Sequence, residues 1–225
     1  LELPAEDSSW FSLTAETLFP LYVGVGPQVF LAPQWEASLL FGLTPKPYYQ
    51  TIGTMAANLS GNAAYKDVLE AAFQNNSLTR LDLTYQFADH QNGWAMGSAL
   101  SRLHATGRAE IDSVLAAGTG NVYTGLINLL IAAGKDTKVD MDTTINIGEV
   151  FLTYRWKSPS RFIFTGIFGI AKVMSAEVSI KTGLPNFESS NSGKKLIDGT
   201  ESDIVHIIVQ YGLSPTVGAQ MSYSF

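Results

Sequence analysis

Along much of the chain apolar and polar residues alternate one by one, the period of a β-strand, whose successive side chains face opposite ways. Leu21, Val23, Val25 and Val29 alternate with Tyr22, Gly24, Gly26 and Gln28; beyond Pro33, Trp35, Ala37, Leu39, Phe41 and Leu43 alternate with Glu36, Ser38 and Gly42. Leu81, Leu83, Tyr85 and Phe87 oppose Asp82, Thr84 and Gln86, and Asn92-Gly93 marks a hairpin before Trp94, Met96 and Leu100. Two long runs, Thr143 to Trp156 and Arg161 to Ile180, are joined by Lys157-Ser158-Pro159-Ser160. In the first, Ile145 and Ile147 share a face, but beyond Gly148 the apolar set becomes Val150, Leu152, Tyr154 and Trp156, a phase change that predicts a bulge. In the second, Phe162, Phe164, Phe168, Ile170, Met174, Val178 and Ile180 share a face, and Ser175, Glu177 and Ser179 oppose them. Val205, Ile207, Val209, Tyr211 and Leu213 oppose His206 and Gln210, and Ser214-Pro215 turns into a last run, Thr216 to Phe225. The pattern predicts about eight antiparallel strands in a single domain over residues 1–225.

Two connections carry a different period. Within residues 45–78, Tyr65, Val68, Leu69, Ala72 and Phe73 recur at helical spacing, with Asn62 as an N-cap. Within residues 104–140, Ile111, Val114 and Leu115 predict a short helix ended by Gly118, and a second helix follows from about Val122 to Ala133. The second is apolar on most sides through Leu126, Ile127, Leu129, Leu130 and Ile131, and such a helix has to be buried in protein or in lipid. Tyr65, Leu69, Phe73, Leu126, Ile127, Leu130 and Ile131 are therefore expected to contact lipid or a subunit interface, with burial in a homo-oligomer the leading expectation.

Composition narrows the class. Of 225 residues 15% are charged, against roughly 25% in an ordinary soluble domain, while 46% are hydrophobic and the mean hydropathy is +0.11. The longest apolar run is far shorter than the roughly 20 residues of a spanning helix. The 20 acidic residues outnumber the 14 basic ones, giving a net charge of −6, which argues against a nucleic-acid binder. The absence of cysteine removes thiolate nucleophiles and cysteine-based zinc sites. Leu1 to Ser9 show no basic-then-apolar leader, so a signal peptide is expected to have been cleaved.

The final run is the most specific signal. Val217, Ala219, Met221, Tyr223 and Phe225 are apolar, and Thr216, Gly218, Gln220, Ser222 and Ser224 small or polar. With its terminal aromatic this segment resembles the last strand of bacterial outer-membrane β-barrel proteins. In that family the pattern is read by the outer-membrane insertion machinery, which implies that Val217, Met221, Tyr223 and Phe225 form an insertion signal. The resemblance implies an up-and-down transmembrane barrel of about eight strands; the helical insertions after the second and fourth predicted strands, read from their periodicity, depart from the short turns and polar loops usual in that family. It also implies integral residence in the outer membrane, with phospholipid or lipopolysaccharide as partners. Glu36, Asp82, Gln86, Asn146, Glu177, His206 and Gln210 are then the expected lumen-facing residues.

Chemistry is sparse. Ser101 and His104 are the serine and histidine pair to consider for a lipid-modifying enzyme, but spacing alone does not bring them within reach. Asp140, Asp142 and Glu149 lack the regular spacing of a calcium loop. No cofactor or metal is expected. The reading is a non-enzymatic barrel with a structural or lipid-organising role, assembling as a homo-oligomer; a porin-like channel is the alternative, and a lipid-modifying enzyme the third reading.

Overall fold

The structure, a computed structural model, describes residues 10–87, 92–110, 113–114, 138–183 and 188–225. Eight strands close into one antiparallel barrel in sequence order: β1 (Phe11–Phe19), β2 (Tyr22–Ala32), β3 (Trp35–Leu43), β4 (Asn75–Gln86), β5 (Gly93–Glu110), β6 (Lys138–Lys157), β7 (Phe162–Lys181) and β8 (Leu213–Ser224). Closure pairs β1 with β8, from Ser12 opposite Ser224 to Phe19 opposite Val217, so the barrel wall has no free edge along that ladder. Helices α1 (Lys46–Ser60) and α2 (Ala64–Ala72) follow β3, and α3 (Asn191–Tyr211) precedes β8.

The strand count matches the expectation, but its membership differs. β1 lies ahead of the first strand read from the sequence, and of the segment read as a strand from Val205 to Leu213, Val205 to Tyr211 is the end of α3 while Leu213 begins β8. Ser190 caps this helix by accepting from the Gly193 amide. Ile204 is buried and Ile207 and Ile208 pack on the core, so the i, i+3, i+4 spacing decides over the alternation. His206 and Gln210 therefore lie on the exposed side of a helix, outside the barrel lumen. The insertion after β5 carried the expected contacts Leu126, Ile127, Leu130 and Ile131, which lie outside the described residues.

The predicted bulge also moves. β6 pairs with β5 in unbroken register from Gly93 opposite Arg155 to Glu110 opposite Lys138. The irregularity is in β7, where Asn146 faces Ser175 but Ile147 faces Val173, leaving Met174 as the extra residue. The phase change at Gly148 is thus a real change of chemistry on an undisturbed strand. Toward one end the outward side chains of β6 are Val150, Leu152 and Trp156, all exposed; toward the other they are Asp140, Asp142, Thr144 and Asn146. Inward side chains do the reverse, from Arg155, Thr153 and Glu149 to Ile147, Ile145, Met141 and Val139. Asn146, and Glu177 beyond the bulge, point outward, which corrects both as lumen residues.

The two ends of the barrel differ accordingly. At one end lie the short β2–β3, β4–β5 and β6–β7 connections, the start of β1 and the end of β8. A ring of aromatics surrounds this end: Trp10, Phe11, Phe225, Tyr223 and Phe162 touch in succession, as do Trp94, Tyr154 and Trp156, and Trp35, Tyr85 and Phe87. At the other end β5, β6 and β7, at 18, 20 and 20 residues, outrun the remaining strands of 9 to 12. Membrane-spanning strands need about 9 to 11 residues, so these three continue beyond an apolar band. Their inner faces there carry Leu103, Ala105, Val139, Met141, Ile145 and Ile180, against which the helices pack.

Helix α2 supplies Tyr65, Val68, Leu69 and Ala72 to that core, and its C-cap residue Phe73 joins them, all buried. The expected lipid or interface contacts Tyr65, Leu69 and Phe73 are therefore satisfied within the chain. Gly107 on β5 makes the approach of α2 possible, since a Cβ there would lie 1.7 Å from the carbonyl oxygen of Ala71. Gly61, at φ 70°, ends α1 in the left-handed conformation.

Candidate functional site

The barrel interior within the apolar band is polar and filled. Nearest the aromatic end, Gln28 accepts through Oε1 from Ser12 (3.3 Å), Thr14 (3.2 Å) and Ser222 (3.0 Å), and Gln220 donates to Thr14 (3.2 Å). Next, the Arg155 guanidinium lies 2.5 Å from the carboxylate of Glu36, which also accepts from Gln86 at 2.9 Å. Deeper still, Arg80 stands among three carboxylates: Asp82 at 2.6 Å, Glu16 at 3.7 Å and Glu149 in direct contact. Tyr22 donates to Glu16 at 2.6 Å, Ser38 to Asp82 at 2.8 Å and Thr216 to Glu149 at 2.5 Å. The rings of Tyr22 and Phe151 each lie 5.5 Å from the Arg80 guanidinium.

Arg80 is 1% exposed, and a charge so placed is tolerable only when paired and hydrogen-bonded. Here each guanidinium and each carboxylate has a partner from another strand, so the cluster ties β1, β3, β4 and β6 together across the lumen. Above it Leu18, Leu40 and Leu78 are all but fully buried and the interior turns apolar. Of the residues expected in the lumen, Glu36, Asp82 and Gln86 are there. Arg80, Glu149, Glu16, Arg155 and Tyr22 were not singled out for it; inward parity was the available signal, since Arg80 is two residues before Asp82 on the same face.

Between the charged plug and the helices lies a second space, a partly open cavity of about 100 Å³. Its floor and walls include Leu78, Leu103, Ile145 and Ile147 of the strands, and its roof Leu69 and Phe73 of α2. Ile52 and Met55 of α1 and Ile207 and Ile208 of α3 complete the sides. It is an apolar chamber with two hydroxyl-bearing residues on its wall, Thr44 and Ser214.

The remaining candidates do not assemble. Ser101 faces inward and is buried while His104 is exposed on the outer face of the same strand, near Asp142 at 3.5 Å, so the two cannot act as a pair. Glu149 lies inside the barrel, whereas Asp140, paired with Arg108 at 2.7 Å, and Asp142 lie outside. Val217, Met221, Tyr223 and Phe225 form one exposed outward row on β8 and its extension.

No protein-family model and no curated protein matches the chain. Among solved structures, Acinetobacter baumannii CarO2 is similar with a TM-score of 0.41 and 13% identity, over 96% of this chain and 98% of that one. Acinetobacter baumannii CarO gives a TM-score of 0.38 and 9% identity, over 95% and 97%. A major outer membrane protein from Thermus thermophilus gives 0.38 and 9%, over 95% and 99%. The reading of a membrane-spanning β-barrel stands on the chain's own geometry: a closed eight-stranded wall, an apolar exterior band and an aromatic girdle.

Proposed function

We propose that this chain is a non-enzymatic protein of the bacterial outer membrane, a barrel with a closed lumen that holds a helical cap outside the bilayer and has a structural or lipid-organising role. Three short connections, β2–β3, β4–β5 and β6–β7, lie at the aromatic end, and the long β3–β4, β5–β6 and β7–β8 connections at the other, which supports a cap on the outer side. The observation that carries the reading is the charged plug. With Arg80 held by Glu16, Asp82 and Glu149, and Arg155 by Glu36, solute passage would require breaking buried ion pairs, each costing several kcal/mol. This favours the closed barrel over the porin-like alternative, and eight strands leave little bore in any case. The apolar exterior and the apolar chamber beneath the cap are the surfaces that meet lipid.

Planar-bilayer recording tests this reading. The expected result is a silent bilayer at protein loads where a porin gives hundreds of openings. Reproducible ohmic steps from the unaltered protein, scaling with salt concentration, would contradict it.

A further inference from the structure

The chamber under the cap has a side opening, and its place in the wall follows from the register. β1 ends at Phe19 opposite Val217, so the stretch of β8 before Val217, beginning at Leu213, pairs with β7 alone. The β1–β2 hairpin therefore stops short of the start of β8 and leaves a notch. Pro20 and Leu21 form its sill, Leu213 its side, and α1 crosses above, anchored where Tyr48 packs edge-on against Phe19 with ring centroids 5.1 Å apart and meets the Thr17 hydroxyl at 2.8 Å. Leu213 and Met55, both on the chamber wall, are 59% and 37% exposed. Phe19 and Val217, the last pair of the β1–β8 ladder below the notch, are exposed and apolar, so the opening sits at the outer rim of the lipid-facing band.

Thr44 supplies the second observation. Its backbone is clamped by Asn76, whose Oδ1 accepts from the Thr44 amide at 2.5 Å and whose Nδ2 donates to the Thr44 carbonyl at 3.1 Å. Thr44 is one of the residues lining the chamber; it is 2% exposed, and its buried Oγ1 has no hydrogen-bond partner among the described residues. Leaving such a group unpaired costs about 1–3 kcal/mol. Water is a poor remedy, because a buried water typically needs about 2–4 polar partners. The other hydroxyl on the wall, Ser214, already donates to the Pro215 carbonyl.

From the rim opening, the hydrocarbon walls and the single unpartnered hydroxyl, we infer that the chamber binds one alkyl chain bearing a hydrogen-bonding oxygen, entering sideways from the lipid phase and meeting Thr44. A cavity of about 100 Å³ is somewhat smaller than the apolar cavity of about 150 Å³ that binds benzene in an engineered protein. It thus takes a short amphiphile or the end segment of a longer chain. The inference rests on the membrane-barrel reading for the side from which the ligand comes, but does not depend on the lumen being closed.

The test uses the whole protein, once in lipid nanodiscs and once in lipid-free amphipol, with 1-hexanol and hexane as probes followed by saturation-transfer NMR. Hexanol should give a saturable signal that Ile207→Trp, which fills the chamber, abolishes. Thr44→Val should cut the preference for hexanol over hexane about fivefold, the effect of one ordinary hydrogen bond, and Thr44→Ser should restore it. Weaker apparent binding in nanodiscs than in amphipol would identify the membrane's own acyl chains as the occupant; equal binding would identify a free amphiphile. No saturable signal in either medium, or a signal unchanged by Ile207→Trp, would overturn the inference. A preference unchanged by Thr44→Val would overturn the part assigned to the hydroxyl. A conducting lumen would contradict the proposed closed barrel yet leave these signals in place, so the two failures are distinguishable.

Discussion

The same three strands, β5 to β7, build two regions with opposite chemistry. In the lower part Leu100, Leu152 and Phe168 face out and Glu149, Thr153 and Thr165 face in; in the upper part Asp142, Glu177 and Ser179 face out and Leu103, Ile145 and Ile180 face in. Neither the backbone pairing of β5 with β6 nor its side-chain parity changes between them. What changes is the surrounding medium. Where the outside is lipid, polar groups are costly there and have to pair inside the lumen. Where the outside is water, the ordinary hydrophobic effect drives apolar groups inward against α1, α2 and α3. A reversal of phase along an unbroken strand is therefore the mark of the membrane rim, and it needs no bulge.

Substitutions in one region should fail where matched ones in the other are tolerated. The largest effect is expected at the plug: Arg80→Met leaves Glu16, Asp82 and Glu149 without their cation and should cost about 3–5 kcal/mol in denaturant unfolding from lipid vesicles. Arg102→Met, exposed on the outer face of β5, should stay within about 0.5 kcal/mol. Next, Leu83→Arg on the lipid face of β4 should cost about 2–4 kcal/mol, whereas Glu177→Arg, outward on β7 beyond the rim, should be near neutral; equal costs at the two sites would remove the distinction between the regions.

In the cap, Gly107→Val pushes against the Ala71 carbonyl and should loosen α2 by about 1–3 kcal/mol. Hydrogen exchange would show the loss in α2 while the barrel amides stay protected. The smallest effect concerns pH. Burial is the main cause that raises the Glu201 pKa above the ordinary carboxylate value, with Asp198 adding to it, although its carboxylate accepts from the Ile180 amide. Because the folded state favours the protonated form, docking of α3 should be strongest below the unfolded carboxylate range and weaken as pH rises through the raised value. Glu201→Gln should flatten that dependence, measured as α3 exchange rates between pH 4 and pH 8.

Much of the barrel was legible in the alternation, including the inward side chains of Glu36, Asp82 and Gln86 and the outward row from Val217 to Phe225. β1 escaped because its pattern breaks at the rim: Thr17 faces out, where Tyr48 satisfies it, and Leu18 faces in, against the cap. The end of α3 is not legible as helix because Val205 to Tyr211 satisfies both periods, and only its packing on β7 selects the helix. Arg80 is not picked out by the sequence, since the partners that give it a role, Glu16 and Glu149, lie on strands far away in sequence. Thr44 gave no signal at all, because an unpartnered hydroxyl exists only once the walls around it are in place.

The inversion itself is the claim to test most directly, and the absence of cysteine makes single labels clean. Phe168→Cys and Ser179→Cys, both on the outer face of β7, would each carry a nitroxide in lipid vesicles, with collision rates compared for oxygen and for a water-soluble nickel chelate. The account predicts that oxygen dominates at position 168 and the nickel chelate at position 179. The same environment at both positions, or the reverse order, would contradict it.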